Sequence, residues 1–276
     1  MAIRVHLAAP HDANFREQLG TLLARHMAAA DVLGRLQVVR HAYAKTHRRL
    51  PLATTSRRVH FAEDDDTVSA AFDVGGDETA ERIRDLTPVT KQIFDGLTSQ
   101  YRRNAFTIAG AADLRLVQKV QDALAEGAKK GETASDFRKA ADQLTTASGV
   151  ANINAFTLDT AFQTVMQKIY SAGRLEQMSE PHMVDALPFW QYWTVGDLRV
   201  RPEHAALDGF IARAIDPVWR KIYPPSGFNC RCSVVPIPAE EALKIDPNAS
   251  EGGLERLPML ARTLVPQEGF GSLIAA

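Results

Sequence analysis

At 276 residues, with 45% hydrophobic and 24% charged content, the chain has the composition of a soluble globular protein long enough to bury a sizeable core. Its formal net charge of -1 excludes a molecule that attracts polyanions over its whole surface. No apolar run reaches the length of a membrane span, the opening MAIRVHLAAPHD lacks the apolar core of a secretory signal, and two cysteines one residue apart (Cys230, Cys232) make a poor disulfide; a chain made in reducing cytoplasm, away from membranes, is expected.

The charge is uneven. Residues 1–60 carry ten Lys/Arg against three Asp/Glu, and residues 61–85 invert to nine acids against two bases, the pattern of solvated faces and arms. Residues 12–48 read as helix: Asn14-x-x-Glu17 resembles a capping box, and Phe15, Leu19, Leu22, Leu23, His26 and Met27 recur at helical spacing, with His26 read as a packed core residue. Pro51 ends that helix. Arg57-Arg58, the acidic run Glu63 to Asp66 and Gly75-Gly76 then mark a linker with at most one short strand, so that residues 1–86 are expected to form a helical arm and charged linker.

Thr87-Pro88 reads as a helix start, because proline at the first helical position forfeits no hydrogen bond. Val89, Ile93, Leu97 and Tyr101 share one face, and the pattern runs on through Leu114, Val117, Gln121 and Leu124 until Gly127 and Gly131 end it. Thr133-x-x-Asp136 opens another helix through Phe137 and Leu144. Residues 153–179 form the strongest helical segment, with Phe162, Val165, Met166, Ile169, Tyr170 and Gly173 on one face and the small Ser171-Ala172-Gly173 allowing close approach of another backbone.

After Pro181 and Pro188 the period changes. Residues 189–195 and 230–237 read as strands, residues 209–213 as a third, short one, and Ala239 to Lys244 as an amphipathic helix. The tail beyond, with Pro247, Gly252-Gly253, Pro258, Pro266 and Gly269, reads as loop draped over a partner or the same fold. The expected fold class is therefore α+β. A mainly helical N-terminal and central region (1–86, 87–188) is followed by a small antiparallel β unit with long loops (189–238) and a C-terminal tail (239–276).

All three tryptophans (Trp190, Trp193, Trp219) and both cysteines lie in residues 189–237. Arg199 and Arg201 share strand parity, so one of them is expected to pair with Asp197 in a network with His204, Trp193 and Trp219 that fixes a long loop. Cys230 and Cys232 also share parity. With His204, and Asp208 as fourth donor, they make a candidate zinc set, against the plainer reading of two buried, reduced thiols and no cofactor.

The run Trp193-Thr194-x-x-Asp197-x-Arg199-x-Arg201-Pro202-x-His204, then Leu207-x-Gly209, Asp216-Pro217-x-Trp219 and Pro224-Pro225-x-Gly227-x-Asn229-Cys230-Arg231-Cys232 resembles the signature of the phage Mu F-like head morphogenesis family, minor head proteins of tailed bacteriophages. Ala105-Phe106-x-Ile108-Ala109-Gly110, the helix from Gly131 to Leu144 and Ala172-Gly173-Arg174 extend the similarity to residues 87–237, while residues 1–86 and 240–276 lie outside it. The resemblance implies a non-enzymatic minor capsid protein of the virion, assembled in host cytoplasm, with the portal protein, the major capsid protein and packaged double-stranded DNA as expected partners and no membrane. Basic residues Arg35, Arg40, Lys45, Arg48, Arg49, Arg57 and Arg58 are candidates for contact with DNA phosphates. The alternative is a metal-dependent hydrolase or nuclease using the Asp/His/Cys cluster. No phosphate-cradling glycine loop and no nucleophile elbow accompanies it.

Overall fold

The computed structural model describes residues 2–6, 30–48, 51, 59–64, 67–73, 77–97, 105–108, 113–130, 132, 134–147, 153–264 and 270. The chain divides into two compact units, Met1–Val32 with Thr54–Ile169 and Leu33–Ala53 with Tyr170–Ala276. Among the described residues no helix is long and apolar enough to cross a membrane.

In the first unit, β1 (Ala2–His6), β2 (Val59–Asp64) and β3 (Thr67–Asp73) form an antiparallel sheet in the order β1-β3-β2, with Ile3 opposite Phe72 and Phe61 opposite Ala70. This corrects the reading of residues 57–76 as a linker with at most one short strand. The first two members of the acidic run, Glu63 and Asp64, end β2, and Asp64 stands opposite Thr67 on the next strand. Residues 12–29, His26 among them, lie outside the described residues.

Thr87-Pro88 does not open a helix. It forms β4 (Thr87–Pro88), paired in parallel with β5 (Ala105–Phe106), so the long helix expected from residue 87 is interrupted. Thr90 is the true cap: its hydroxyl accepts the Ile93 N–H at 3.4 Å and starts the short helix Lys91–Gly96. The true start lies three positions beyond the Thr87-Pro88 pair.

Two amphipathic helices, Leu114–Lys130 and Ala134–Ala147, supply the helical layer of this unit, together with Asp77–Arg84. The first buries Leu116, Val117, Val120, Leu124, Ala125 and Ala128 along one stripe. Gln121 sits in the same stripe because its amide donates to the Ile83 and Leu86 carbonyls, both at 2.6 Å, at the end of Asp77–Arg84. In the second helix Phe137 packs on Phe162 with ring centroids 6.0 Å apart, and Arg138 pairs with Asp159 at 3.2 Å.

The second unit is built around a sheet of β6 (Phe189–Trp193), β7 (Ile211–Arg213) and β8 (Ser233–Ile237), all antiparallel in the order β7-β6-β8. Because side chains alternate across a strand, each face has its own cluster. Trp190, Tyr192, Ala212 and Val234 join Trp219, Ile222 and Tyr223 on one side, while Phe189, Ile211, Val235 and Ile237 pack with Ala242 and Ala249 on the other. The Trp190 and Trp219 rings lie 5.6 Å apart at 53°, and the Trp219 indole N–H donates to the Arg213 carbonyl at 2.8 Å. Residues 239–264 are more structured than the sequence reading allowed. Beyond the expected helix Ala239–Ile245, two further short helices, Gly253–Arg256 and Met259–Arg262, bring Leu257, Ala261 and Leu264 into the Trp190 cluster, so this segment packs on its own fold.

The helices Ala30–Thr46 and Ala155–Ser179 contribute residues 33–46 and 170–179 to this unit. They meet at Gly34, where an added Cβ would lie 2.3 Å from the Tyr170 carbonyl oxygen. The close approach expected at Ser171-Ala172-Gly173 is thus made possible by a glycine on the opposing helix. Arg174, only 1% exposed, donates to the Gln37 side chain and the Val234 carbonyl and lies 5.6 Å from the Tyr170 ring centre. One guanidinium therefore ties both helices to β8.

Candidate functional site: a buried histidine and two thiols

Strand β6 ends at Trp193, and residues 197–201 are turn, so the parity argument for Arg199 and Arg201 does not apply. The ion-pair partner of Asp197 among the described residues is Arg231, not either of them. Two parallel bonds of 2.6 and 2.7 Å join the guanidinium and carboxylate. Hydrogen bonding from Arg231, aided by the Arg199 backbone N–H, holds the Asp197 carboxyl down to about 2. Arg199 is exposed, and Arg201 donates to the Phe228 carbonyl at 2.9 Å. The cation of the Asp197 pair is Arg231, and His204, Trp193 and Trp219 make their contacts apart from it. Arg231 lies 34 positions away from Asp197, beyond any local periodicity.

The short helix Pro202–Ala205, with proline at its first position, carries His204 into the interior, where it is 3% exposed. Cys230 and Cys232 reach the same point from the segment entering β8. Asn229 adopts a left-handed conformation (φ 55), and the Cys230 N–H returns to the Gly227 carbonyl at 3.2 Å, closing the turn that aims the first thiol inward. The Nδ1 of His204 lies 3.7 Å from the Cys230 sulfur and 3.6 Å from the Cys232 sulfur, and all three donor atoms are within 4.8 Å of one another. All three residues are buried.

Asp208 is not a member of this group. Its carboxylate accepts the Thr194 N–H at 2.7 Å, which corrects its assignment as a fourth metal donor: it fastens the end of β6 to the Asp208-Gly209 turn, where Gly209 takes the φ of 80 that a side chain disfavours. Trp193 packs partly against the Phe189 cluster and Trp219 is core, so both act in holding the sheet together.

The two thiols are shifted in opposite directions. A hydrogen bond from Cys232, with further help from His204, pulls Cys230 well below the ordinary thiol range against the cost of burial, and the same bond raises Cys232. Tyr192 adjoins them from β6. Its buried hydroxyl makes no hydrogen bond of ordinary geometry, and burial first, then the charge of Cys232 and Cys230, push it well above the ordinary phenol value. A small cleft of about 10 Å³ opens onto the group between Arg199, Val200 and Arg201.

The basic residues separate into different environments. Arg35 is buried and paired with Glu176, and so is withdrawn from the phosphate contact expected of it. Lys45 bonds to Glu241 at 2.6 Å, and burial lowers the titration of half-buried Arg40. Arg48 is exposed, while Arg49, Arg57 and Arg58 lie outside the described residues. Sequence reasoning missed Gln37, Arg231 and Gly34. Each acts through a partner distant in the chain, and none carries a local signal.

Fold and site define an α+β chain whose C-terminal sheet holds a buried His/Cys/Cys group. Residues 118–235 match the family described as Phage Mu protein F like protein. The chain is 27% identical over 180 residues to the "Putative capsid assembly protein F" of Escherichia phage Mu, covering 59% of this chain and 40% of that one. It is 44% identical over 77 residues to the "Mu-like prophage FluMu F protein" of Haemophilus influenzae, covering 28% and 18%. An uncharacterized protein of Methanocaldococcus jannaschii is 29% identical over 125 residues, covering 44% and 17%. The chain thus spans less than half the length of each of these relatives. No solved structure matches it.

Proposed function

We propose that this chain acts in phage head morphogenesis as a structural, minor capsid component of the virion, assembled in the host cytoplasm. The observation that carries the reading is the family match over residues 118–235, which takes in the whole Trp193 to Cys232 signature together with the helices before it. The phage Mu relative bears the name of a capsid assembly protein. The geometry is in keeping with a scaffold: the signature residues bond mainly to each other and to backbone, as Asp197 does to Arg231, Asp208 to Thr194 and Trp219 to Arg213. The alternative hydrolase built on the Asp/His/Cys cluster loses two of its named groups, because Asp197 pairs with Arg231 and Asp208 accepts the Thr194 N–H.

The portal protein and the major capsid protein are the protein partners in this proposal, and packaged double-stranded DNA is the third. Deleting the gene from its phage and counting particles by electron microscopy after induction tests the reading. Few or no DNA-filled heads, restored by a plasmid copy, is the expected result; normal numbers of filled heads would refute it. The DNA contact has its own test. Replacing Arg48, Arg49, Arg57 and Arg58 by Glu is expected to weaken retention on double-stranded DNA and flatten its salt dependence, and an unchanged salt slope removes DNA from the partners.

A further inference from the structure

We propose that His204 Nδ1 and the sulfurs of Cys230 and Cys232 bind one zinc ion, with the fourth coordination position facing the cleft between Arg199, Val200 and Arg201 and filled there by water or an anion. The inference stands apart from the assembly reading and survives its failure.

Distance is the first argument. Zinc–sulfur bonds of about 2.3 Å and a zinc–nitrogen bond of about 2.0 Å, set at the tetrahedral angle, place nitrogen and sulfur about 3.5 Å apart. The two separations here are 3.7 and 3.6 Å, nearly equal and close to that value before any metal draws the ligands in. The second argument is valence. One imidazole nitrogen carries either a single hydrogen or a single lone pair and makes one strong bond at a time, yet two sulfurs stand at nearly the same distance from it. Two thiols buried merely as small apolar groups have no reason to converge on the same ring atom; two ligands of one ion do.

Charge supports the same conclusion. Two thiolates and a neutral imidazole balance a divalent ion, and all three donors lie in the interior, where an unbalanced charge is costly. Sulfur and imidazole donors select zinc over the hard cations calcium and magnesium. The buried Tyr192 hydroxyl shares a cluster with both thiols and offers a donor to a metal-bound thiolate, the usual outer support of such ligands. Three protein ligands leave one position open, and the cleft meets the three ligand residues on the side of Arg199 and Arg201, whose positive charge suits a water-derived or other anionic ligand. The ion would pin the helix Pro202–Ala205 to the start of β8.

The test uses the 276-residue chain purified under reducing conditions and reconstituted anaerobically with zinc, then with cobalt(II) alone. Elemental analysis is expected to find one zinc per chain, falling to the buffer background in Cys230→Ser and Cys232→Ser and staying at one in Asp208→Asn. Cobalt is expected to give a thiolate charge-transfer band and the intense visible bands of a tetrahedral site. Because the serine variants can fail to fold, the cobalt spectrum of the unaltered chain carries the decision. No stoichiometric zinc and no thiolate band in a folded chain overturns the site. A shift of the visible bands on adding thiocyanate supports the open position, and bands that do not move overturn that part.

Discussion

The helix Leu114–Lys130 in the first unit and the β7-β6-β8 sheet in the second solve the burial problem in different ways. The helix hides one aliphatic stripe and a single amide, Gln121, whose two bonds close off neighbouring carbonyls. The sheet is covered on both faces, and it buries an arginine, a histidine, two thiols and two tryptophans along with its aliphatic residues. A stripe of that kind needs only apolar side chains of roughly the right size, whereas polar groups in an interior each need a partner in a fixed place. The second unit is therefore expected to tolerate conservative change less well than the first.

The sharpest way to break this contrast is Arg174→Leu. It removes the guanidinium's bonds to the Gln37 side chain, which keeps the Tyr170 hydroxyl as donor, and to the Val234 carbonyl, and we expect a loss of about 3–5 kcal/mol from two hydrogen bonds to a charged group at about 1.5–3 kcal/mol each. Since all three tryptophans lie between residues 190 and 219, urea unfolding followed by tryptophan fluorescence reads this unit directly. Leu124→Ala in the helical stripe should cost about 3 kcal/mol through cavity formation, seen as a lower unfolding midpoint by far-ultraviolet circular dichroism, while Leu124→Met should cost about 1 kcal/mol or less. Equal damage from both Leu124 variants would erase the distinction drawn here.

Gly34→Ala adds one carbon where the Tyr170 carbonyl already stands, and a loss of about 1–3 kcal/mol from overpacking is expected, despite the better helix propensity of alanine. The smallest effect belongs to the exposed pair. Asp197→Asn should leave the urea midpoint at neutral pH within measurement error, because solvent screens the ion pair. Its titration is the better readout. With a folded value of about 2 against an ordinary 3.8, the contribution of Asp197 is fully present above 3.8 and lost as pH falls through 2, so the carboxyl carbon resonance should move near pH 2.

The same contrast explains what the sequence made legible. Helices at 114–130, 134–147 and 155–179 announce themselves through their apolar spacing, and the three strands of the second unit through aromatic and β-branched runs between prolines. The hairpin at residues 59–73 did not, because its strands carry charge and find partners across the sheet rather than along the chain. Likewise His204, Cys230 and Cys232 were grouped by residue type, although both cysteines precede β8 and strand parity does not apply to them, whereas Asp208 left the group for a backbone amide and Arg231 displaced Arg199 and Arg201 as the partner of Asp197. Composition and period reveal which groups must be buried. Which distant group satisfies them is decided only when the chain has folded.

The central claim is that this polypeptide is a built-in part of a phage head, and quantitative mass spectrometry of purified, cross-linked heads from its own phage tests it most directly. The account predicts the chain in a few copies per particle, cross-linked to the proposed portal partner. Heads that package DNA and infect while lacking the chain altogether would contradict it.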